Sequence, residues 1–262
     1  MLEVRSRDGT PIAFAVSGRG DPLLLVHGTT ADHSRWSPLM STLERFFRVY
    51  RVDRRGRGGS GDTPPYSIER EFEDIAAVVE SIEEPTHVIG HSFGALVALE
   101  AALRCSRRAV RTLVLYEPPV ATHAVPPQDL LDTMDEQVAR GDRDGAVTTF
   151  FRDLLCVPDE DLTLLQALPT WRLRCAAAHT MARELRSAFG YQLDPSRMGR
   201  LGMPVLLQVG EGSPEPMQDA TQALAAVLPN AYVESLRGQQ HNAMDTAREL
   251  YLRSVIEFLE AH

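Results

Sequence analysis

The sequence predicts an α/β fold: a mostly parallel central sheet flanked by helices, with a block of helices inserted into it. Three observations predict it. Short apolar runs alternate with helical patterns as far as Tyr116. The alternation breaks from Pro118 to about Arg200, where the patterns are helical throughout. It resumes at Val205 and continues to the last helix.

Residues 2–6 and 12–17 alternate in polarity around Asp8-Gly9, a hairpin turn signal. Residues 23–26 form a continuous apolar run, which suits a strand covered on both faces. A helix follows over 37–45, then a strand at 49–52 that ends at Asp53 in a loop dense in glycine and arginine. Ser67 is placed to cap a helix whose apolar positions Phe72, Ile75, Val78, Val79 and Ile82 share one face. Residues 87–89 read as a strand, 93–103 as a helix and 110–115 as a strand. Helices are then predicted at 129–139, 143–155, 160–168 and 171–187. Such an insertion is far too long for one crossover, so it reads as a helical cap. A strand at 205–209, a helix at 217–227, a strand at 232–236 and a terminal helix from Thr246 complete the pattern. The expected division is 1–118 with 201–262 for the sheet domain and 119–200 for the cap.

A length of 262 residues suits one large α/β domain with such an insertion. Net charge is −9, which argues against nucleic acid as the main partner. All 27 basic side chains are arginine, a pattern that codon bias in a GC-rich genome explains without function. Cys105, Cys156 and Cys175 show no CxxC spacing and no cysteine–histidine cluster of a zinc site. Free thiols packed in helices, in a reducing compartment, are expected, with a Cys156–Cys175 disulfide as the alternative. The N-terminal stretch lacks a secretory pattern, and no segment approaches the ~20 apolar residues of a membrane helix. A cytoplasmic enzyme, monomeric or weakly dimeric, acting on a small molecule without metal or organic cofactor, is the expectation.

Chemistry concentrates in a few motifs. Gly90-His91-Ser92-Phe93-Gly94 lies between a strand and a helix, the setting of a nucleophile elbow. There a serine occupies a sharp turn at a helix N-terminus, where partial positive charge favours a developing anion. His241, in a loop after the last strand, has the position of a general base. His33, His87, His123, His179 and His262 have no such context.

The chain resembles the α/β-hydrolase superfamily, specifically its cap-bearing esterase and peroxidase-like branch. The resemblance rests on LLLVHGTT, the DRRGRGGSGD loop from Asp53, GHSFG, LYEPP from Leu115 and GQQHNAMD from Gly238, and it covers nearly the whole chain. It implies an oxyanion hole from the backbone N–H groups of Thr29 and Phe93. It also implies that His27 braces its loop, that His91 points away from the pocket, and that Asp53 and the arginines after it shape their loop. In much of the family an aspartate follows the strand that here is 205–209. This chain has Ser213 at that place, and a hydroxyl cannot stabilise an imidazolium as a carboxylate does. Some branches, certain haloalkane dehalogenases and lactone hydrolases among them, carry the acid one strand earlier. Glu117 stands there and is the favoured acid, with Glu211 as alternative and Asp219 and Asp245 more distant candidates.

Serine at the elbow points to acyl transfer from an ester, thioester or lactone, because the family's dehalogenases and epoxide hydrolases use aspartate there. Phe150, Phe151, Trp171, Phe189 and Tyr191 in the cap suggest a pocket for a mostly apolar acyl or alcohol moiety rather than a charged one. Trp36 and Met244 are further candidates for its wall, so the substrate-binding set is Trp36, Phe150, Trp171 and Met244. The rival readings are a lyase, cyclase or cofactor-free peroxidase on the same scaffold, and a receptor that only binds. Turnover of a simple ester with burst kinetics discriminates among them.

Overall fold

The computed structural model describes residues 1–120 and 128–262, so His123 lies outside the described residues. β1 (Leu2–Arg5) and β2 (Pro11–Gly18) form an antiparallel hairpin that pairs Leu2 with Phe14. Its turn works because Gly9 takes φ +86° and Asp8 Oδ1 accepts the Thr10 N–H at 3.0 Å. The sheet continues through β3 (Asp21–Val26), β4 (Phe47–Val52), β5 (Thr86–His91), β6 (Val110–Tyr116), β7 (Val205–Gly210) and β8 (Ala231–Leu236). Its order is β1-β2-β4-β3-β5-β6-β7-β8. β2 runs antiparallel to β4, and from β4 to β8 all pairs are parallel.

Both faces are covered, and β3 shows why its apolar run is unbroken. Leu24 and Val26 enter one core with Phe72, Ile75 and Val78 of α2 (Ile68–Ile82) and the apolar side chains of α3 (Phe93–Ala102). Leu23 and Leu25 enter the other. There they meet Leu39 and Leu43 near α1 (Ser37–Leu43) and Tyr251 and Val255 of the C-terminal helix (Arg248–Ala261). Ser67 does precede α2, but its hydroxyl makes no capping bond.

Between β6 and β7 the described residues are helical: α4 (Gln128–Ala139), α5 (Arg143–Thr149), α6 (Asp159–Ala167), α7 (Thr170–Ala176), α8 (Met181–Gly190) and α9 (Pro195–Met198). They enclose a separate apolar cluster that includes Leu131, Val147, Phe151, Leu162, Trp171 and Met181. The segment predicted as one helix over 171–187 is broken. A 3-10 turn at Ala178–Thr180 separates α7 from α8, and the Thr180 hydroxyl donates to the Ala177 carbonyl at 2.9 Å. The segment predicted over 143–155 ends in a π-helical turn, Phe150–Leu154. Cys105 and Cys156 also depart from the expectation. Both lie outside helices, and Cys156 is exposed with φ +53°. No helix among the described residues is long and apolar enough to cross a membrane.

Because β3, β5, β6, β7 and β8 are parallel, the segments that follow them emerge along one edge of the sheet. His27, Ser92, Glu117, Glu211 and His241 all belong to those segments.

Candidate active site

β5 delivers the chain to Ser92, which is held at φ +55°, ψ −128° before α3 begins. A non-glycine residue at positive φ is strained and persists only where its surroundings fix it. The Ser92 N–H donates to the Tyr116 carbonyl at 2.8 Å. The flanking glycines permit the turn. A methyl at Gly90 would stand 2.5 Å from Ala95 Cα, and one at Gly94 would strike the Val26 and His27 carbonyls. The serine is partly exposed while His91 and Phe93 beside it are buried.

His241 Nδ1 lies 2.5 Å from Glu117 Oε2. A carboxylate accepts, so Nδ1 carries the proton and Nε2 is left with a free lone pair. The other Glu117 oxygen accepts from Gly210 N–H at 2.7 Å and Ser213 Oγ at 2.5 Å. Ser213, found where many relatives would have an acid, thus serves as a donor to the carboxylate on the neighbouring strand. Glu117 is 2% exposed and sits at φ +47°. Glu211 faces solvent and accepts the Gly238 N–H at 2.7 Å. Asp219 is also exposed, and Asp245 pairs with Arg35 at 2.7 Å.

The histidine loop is braced from below. Tyr116 Oη donates to the Gln240 carbonyl, and His91 Nε2 donates to the His241 carbonyl at 2.9 Å. His91 therefore does not point away as expected but lines the cavity floor. Burial holds its pKa well below the usual histidine value, with His241 and Arg35 adding to the effect, so it is a neutral brace.

Among the described residues the N–H groups of Thr29 and Phe93 donate to no protein acceptor. That leaves two donors flanking Ser92. The Thr29 hydroxyl donates to Glu184 Oε2 of α8 at 3.0 Å. Arg54, fully buried, donates to the carbonyls of His27 and Gly28 and ion-pairs with Glu71 at 3.0 Å and Glu184 at 2.9 Å. Arg57 joins Glu184 as well, and Arg55 pairs with Asp74 at 2.7 Å. His27 is buried and accepts the Arg54 N–H at 3.2 Å, and loss of hydration pushes its pKa well down. Asp53 Oδ1 takes the His33 N–H and ring, both at 2.8 Å, and Oδ2 takes the Gly59 N–H. Asp32, His33 and Asp53 bring ligand-type atoms within 4.8 Å of one another, but the Asp53 oxygens are occupied as a loop clasp.

The cavity above Ser92 has a volume of about 30 Å³, room for a water or two. Gly28, Thr29, Ser92 and His241 line it from the sheet side, and Phe150, Phe151, Leu155 and Arg174 from the cap. Of the four residues expected at the pocket wall, the structure places Phe150 there. Trp36 is fully buried in the core beneath the sheet with Leu39 and Leu43. Met244 belongs to the same core. Trp171 packs inside the cap against Phe151 and donates to Asp144 at 2.6 Å. Each is a large side chain whose own packing consumed it. Tyr191 is similarly occupied, donating to Glu100 at 2.8 Å, and Phe189 packs on the cap cluster. Sequence reasoning did not single out Arg35, Arg174 or Glu184. An arginine or glutamate on an amphipathic helix reads as its solvent face, and no local motif marks these as exceptions.

A family model described as alpha/beta hydrolase family matches residues 23–253. A crystal structure of an alpha/beta hydrolase from Sphaerobacter thermophilus superposes with TM-score 0.82 at 34% identity, covering 95% of this chain and 100% of that one. A pimeloyl-[acyl-carrier protein] methyl ester esterase from Methylococcus capsulatus is 40% identical over 99 residues, 38% of this chain and 37% of that protein. An N-formylmaleamate deformylase from Pseudomonas putida is 35% identical over 107 residues, 40% of each. The chain thus spans about two-fifths of the length of these curated relatives.

Proposed function

The chain belongs to the alpha/beta hydrolase family, and from that premise we propose that it is a serine hydrolase cleaving a small ester, thioester or lactone. Ser92 is the nucleophile, His241 the base and Glu117 the acid. The observation that carries this reading is the 2.5 Å bond from His241 Nδ1 to a carboxylate already held by two other donors. It fixes the tautomer that can take a proton at Nε2. Relatives named as a methyl ester esterase and a deformylase support hydrolytic acyl transfer.

Ser92 Oγ forms a bond to the carbonyl carbon as its proton passes to His241 Nε2. The carbonyl oxygen becomes an oxyanion held by the Thr29 and Phe93 N–H groups and the N-terminus of α3. The C–O or C–S bond then breaks, and His241 gives its proton to the leaving group. Water, deprotonated by the same imidazole, attacks the acyl-enzyme, and the acid departs with Ser92 restored. Phe150, Phe151 and Leu155 give the cavity an apolar wall. A reducing, cytoplasmic setting completes the reading, supported by three cysteines that stand as thiols.

A fluorophosphonate tests it. The reagent should add to the Ser92 peptide, and Ser92→Ala or His241→Ala should lower ester turnover by roughly 10⁴-fold or more. Labelling that persists in Ser92→Ala would remove the nucleophile from the scheme. Labelling without ester turnover would favour a non-hydrolytic activity at the same site.

A further inference from the structure

Among the described residues, one guanidinium that lines the cavity at Ser92, that of Arg174, is partly buried and has no carboxylate beside it. Arg54, Arg55 and Arg57 each hold a carboxylate. Arg174, on α7, lines the cavity, and among the described residues no carboxylate comes within ion-pair distance of it. Residues 121–127 contain no acid that could serve instead. Arg174 NH1 donates to Thr30 Oγ1 at 3.0 Å, and its guanidinium carbon lies 5.0 Å from the Phe151 ring centroid. Its Nε and NH2 have no protein acceptor among the described residues.

Arg35 also lines the cavity, and Asp245 is paired with it at 2.7 Å. No aspartate or glutamate lines the cavity, although acids outnumber bases 36 to 27 in the chain. Lost hydration pulls Arg174 down to about 10, Arg35 adds to the shift and Asp245 opposes it. The guanidinium is still charged at neutral pH. A partly buried guanidinium that lines the cavity with two donors free and no carboxylate beside it is placed to take an anion from a ligand.

We propose that Arg174 binds a carboxylate on the substrate, so that the hydrolysed compound is a small ester bearing one negatively charged end. Phe151 backs the guanidinium, and the unpaired Nε and NH2 are donors that a planar carboxylate can accept as paired hydrogen bonds. The apolar wall receives the rest of the chain. This assignment rests on the acyl-transfer reading of Ser92, because it names the class of ester that Ser92 attacks.

Two matched ester pairs test it: phenyl hydrogen glutarate against phenyl pentanoate, and 4-acetoxybenzoate against phenyl acetate. In at least one pair the wild type should favour the anionic member in kcat/KM. Arg174→Gln should lower that ratio by about 30-fold or more, whatever its absolute rates, and Arg174→Lys should retain part of it. A binding measurement is independent of turnover. Millimolar glutarate should raise the melting temperature of Ser92→Ala but not of Ser92→Ala/Arg174→Gln, while dimethyl glutarate raises neither. Equal kcat/KM within both pairs, with no glutarate effect, overturns the carboxylate assignment even if fluorophosphonate labels Ser92. An Arg174-dependent glutarate effect without labelling or ester turnover supports the carboxylate site and overturns the hydrolase reading.

Discussion

Glu117 and Glu211 sit at the ends of adjacent strands, and only their hydrogen bonds tell them apart. Glu117 accepts from His241, Gly210 and Ser213, whereas Glu211 is exposed and holds the Gly238 turn. An amide at 117 removes the anion that stabilises the imidazolium and offers His241 a donor in place of an acceptor. Glu117→Gln should therefore lower kcat by about 10³-fold or more, and Glu211→Gln should leave it within about twofold. Steady-state kinetics with a check of folding by circular dichroism decide between the two acids, and the opposite ranking would move the role to Glu211. The sequence made Ser92, Glu117 and His241 legible because each follows a strand in a fixed chain order. Arg174 was illegible for the converse reason. Its partner, Thr30, is 144 positions away, and only the docking of α7 over the oxyanion loop brings them together.

At the scale of elements, α8 is the helix that ties the insertion to the sheet domain. Its Glu184 is fully buried and receives Arg54, Arg57 and the Thr29 hydroxyl. Arg57 shows what that carboxylate neutralises: burial, with repulsion from Arg54, pulls it down to about 9. Glu184→Gln would leave Arg57 without a carboxylate and Arg54 with Glu71 alone, a loss of about 3–5 kcal/mol. The expected fall in melting temperature is about 10 °C in calorimetry. A lower kcat should accompany it, since Glu184 holds the hydroxyl of Thr29, the proposed oxyanion donor. An unchanged melting temperature would show that the network does not hold the insertion in place. Strands were easy to read because an apolar run between turn residues is a local signal. The break between α7 and α8 was not, because residues 171–187 keep a helical period across it. Tertiary demands decide there: the Thr180 hydroxyl bonds Ala177 and also accepts from Arg57 at 2.7 Å.

For the whole molecule, three buried histidines make the fold sensitive to acid. His27, His87 and His91 are all buried, and each is held below the ordinary histidine range by lost hydration. His87 is the clearest case. It lies between strands, with Nδ1 2.8 Å from Thr112 Oγ1 and its ring edge-on to Phe47. Burial lowers it to about 4, the charge of Arg111 adds to this and Asp21 opposes it. In the unfolded chain the same ring titrates near 6.5. Between those values the unfolded state binds the extra proton and the folded state does not, so stability falls as the pH falls. The loss attributable to His87 alone reaches about 3 kcal/mol at pH 4. Asparagine at 87 places an amide where Nδ1 was and removes the titration. His87→Asn should therefore flatten the dependence of melting temperature on pH between 6.5 and 4, whatever its effect at pH 7. An unaltered slope would place the acid sensitivity elsewhere, with His27 and His91, at the ends of β3 and β5, as the next groups to replace.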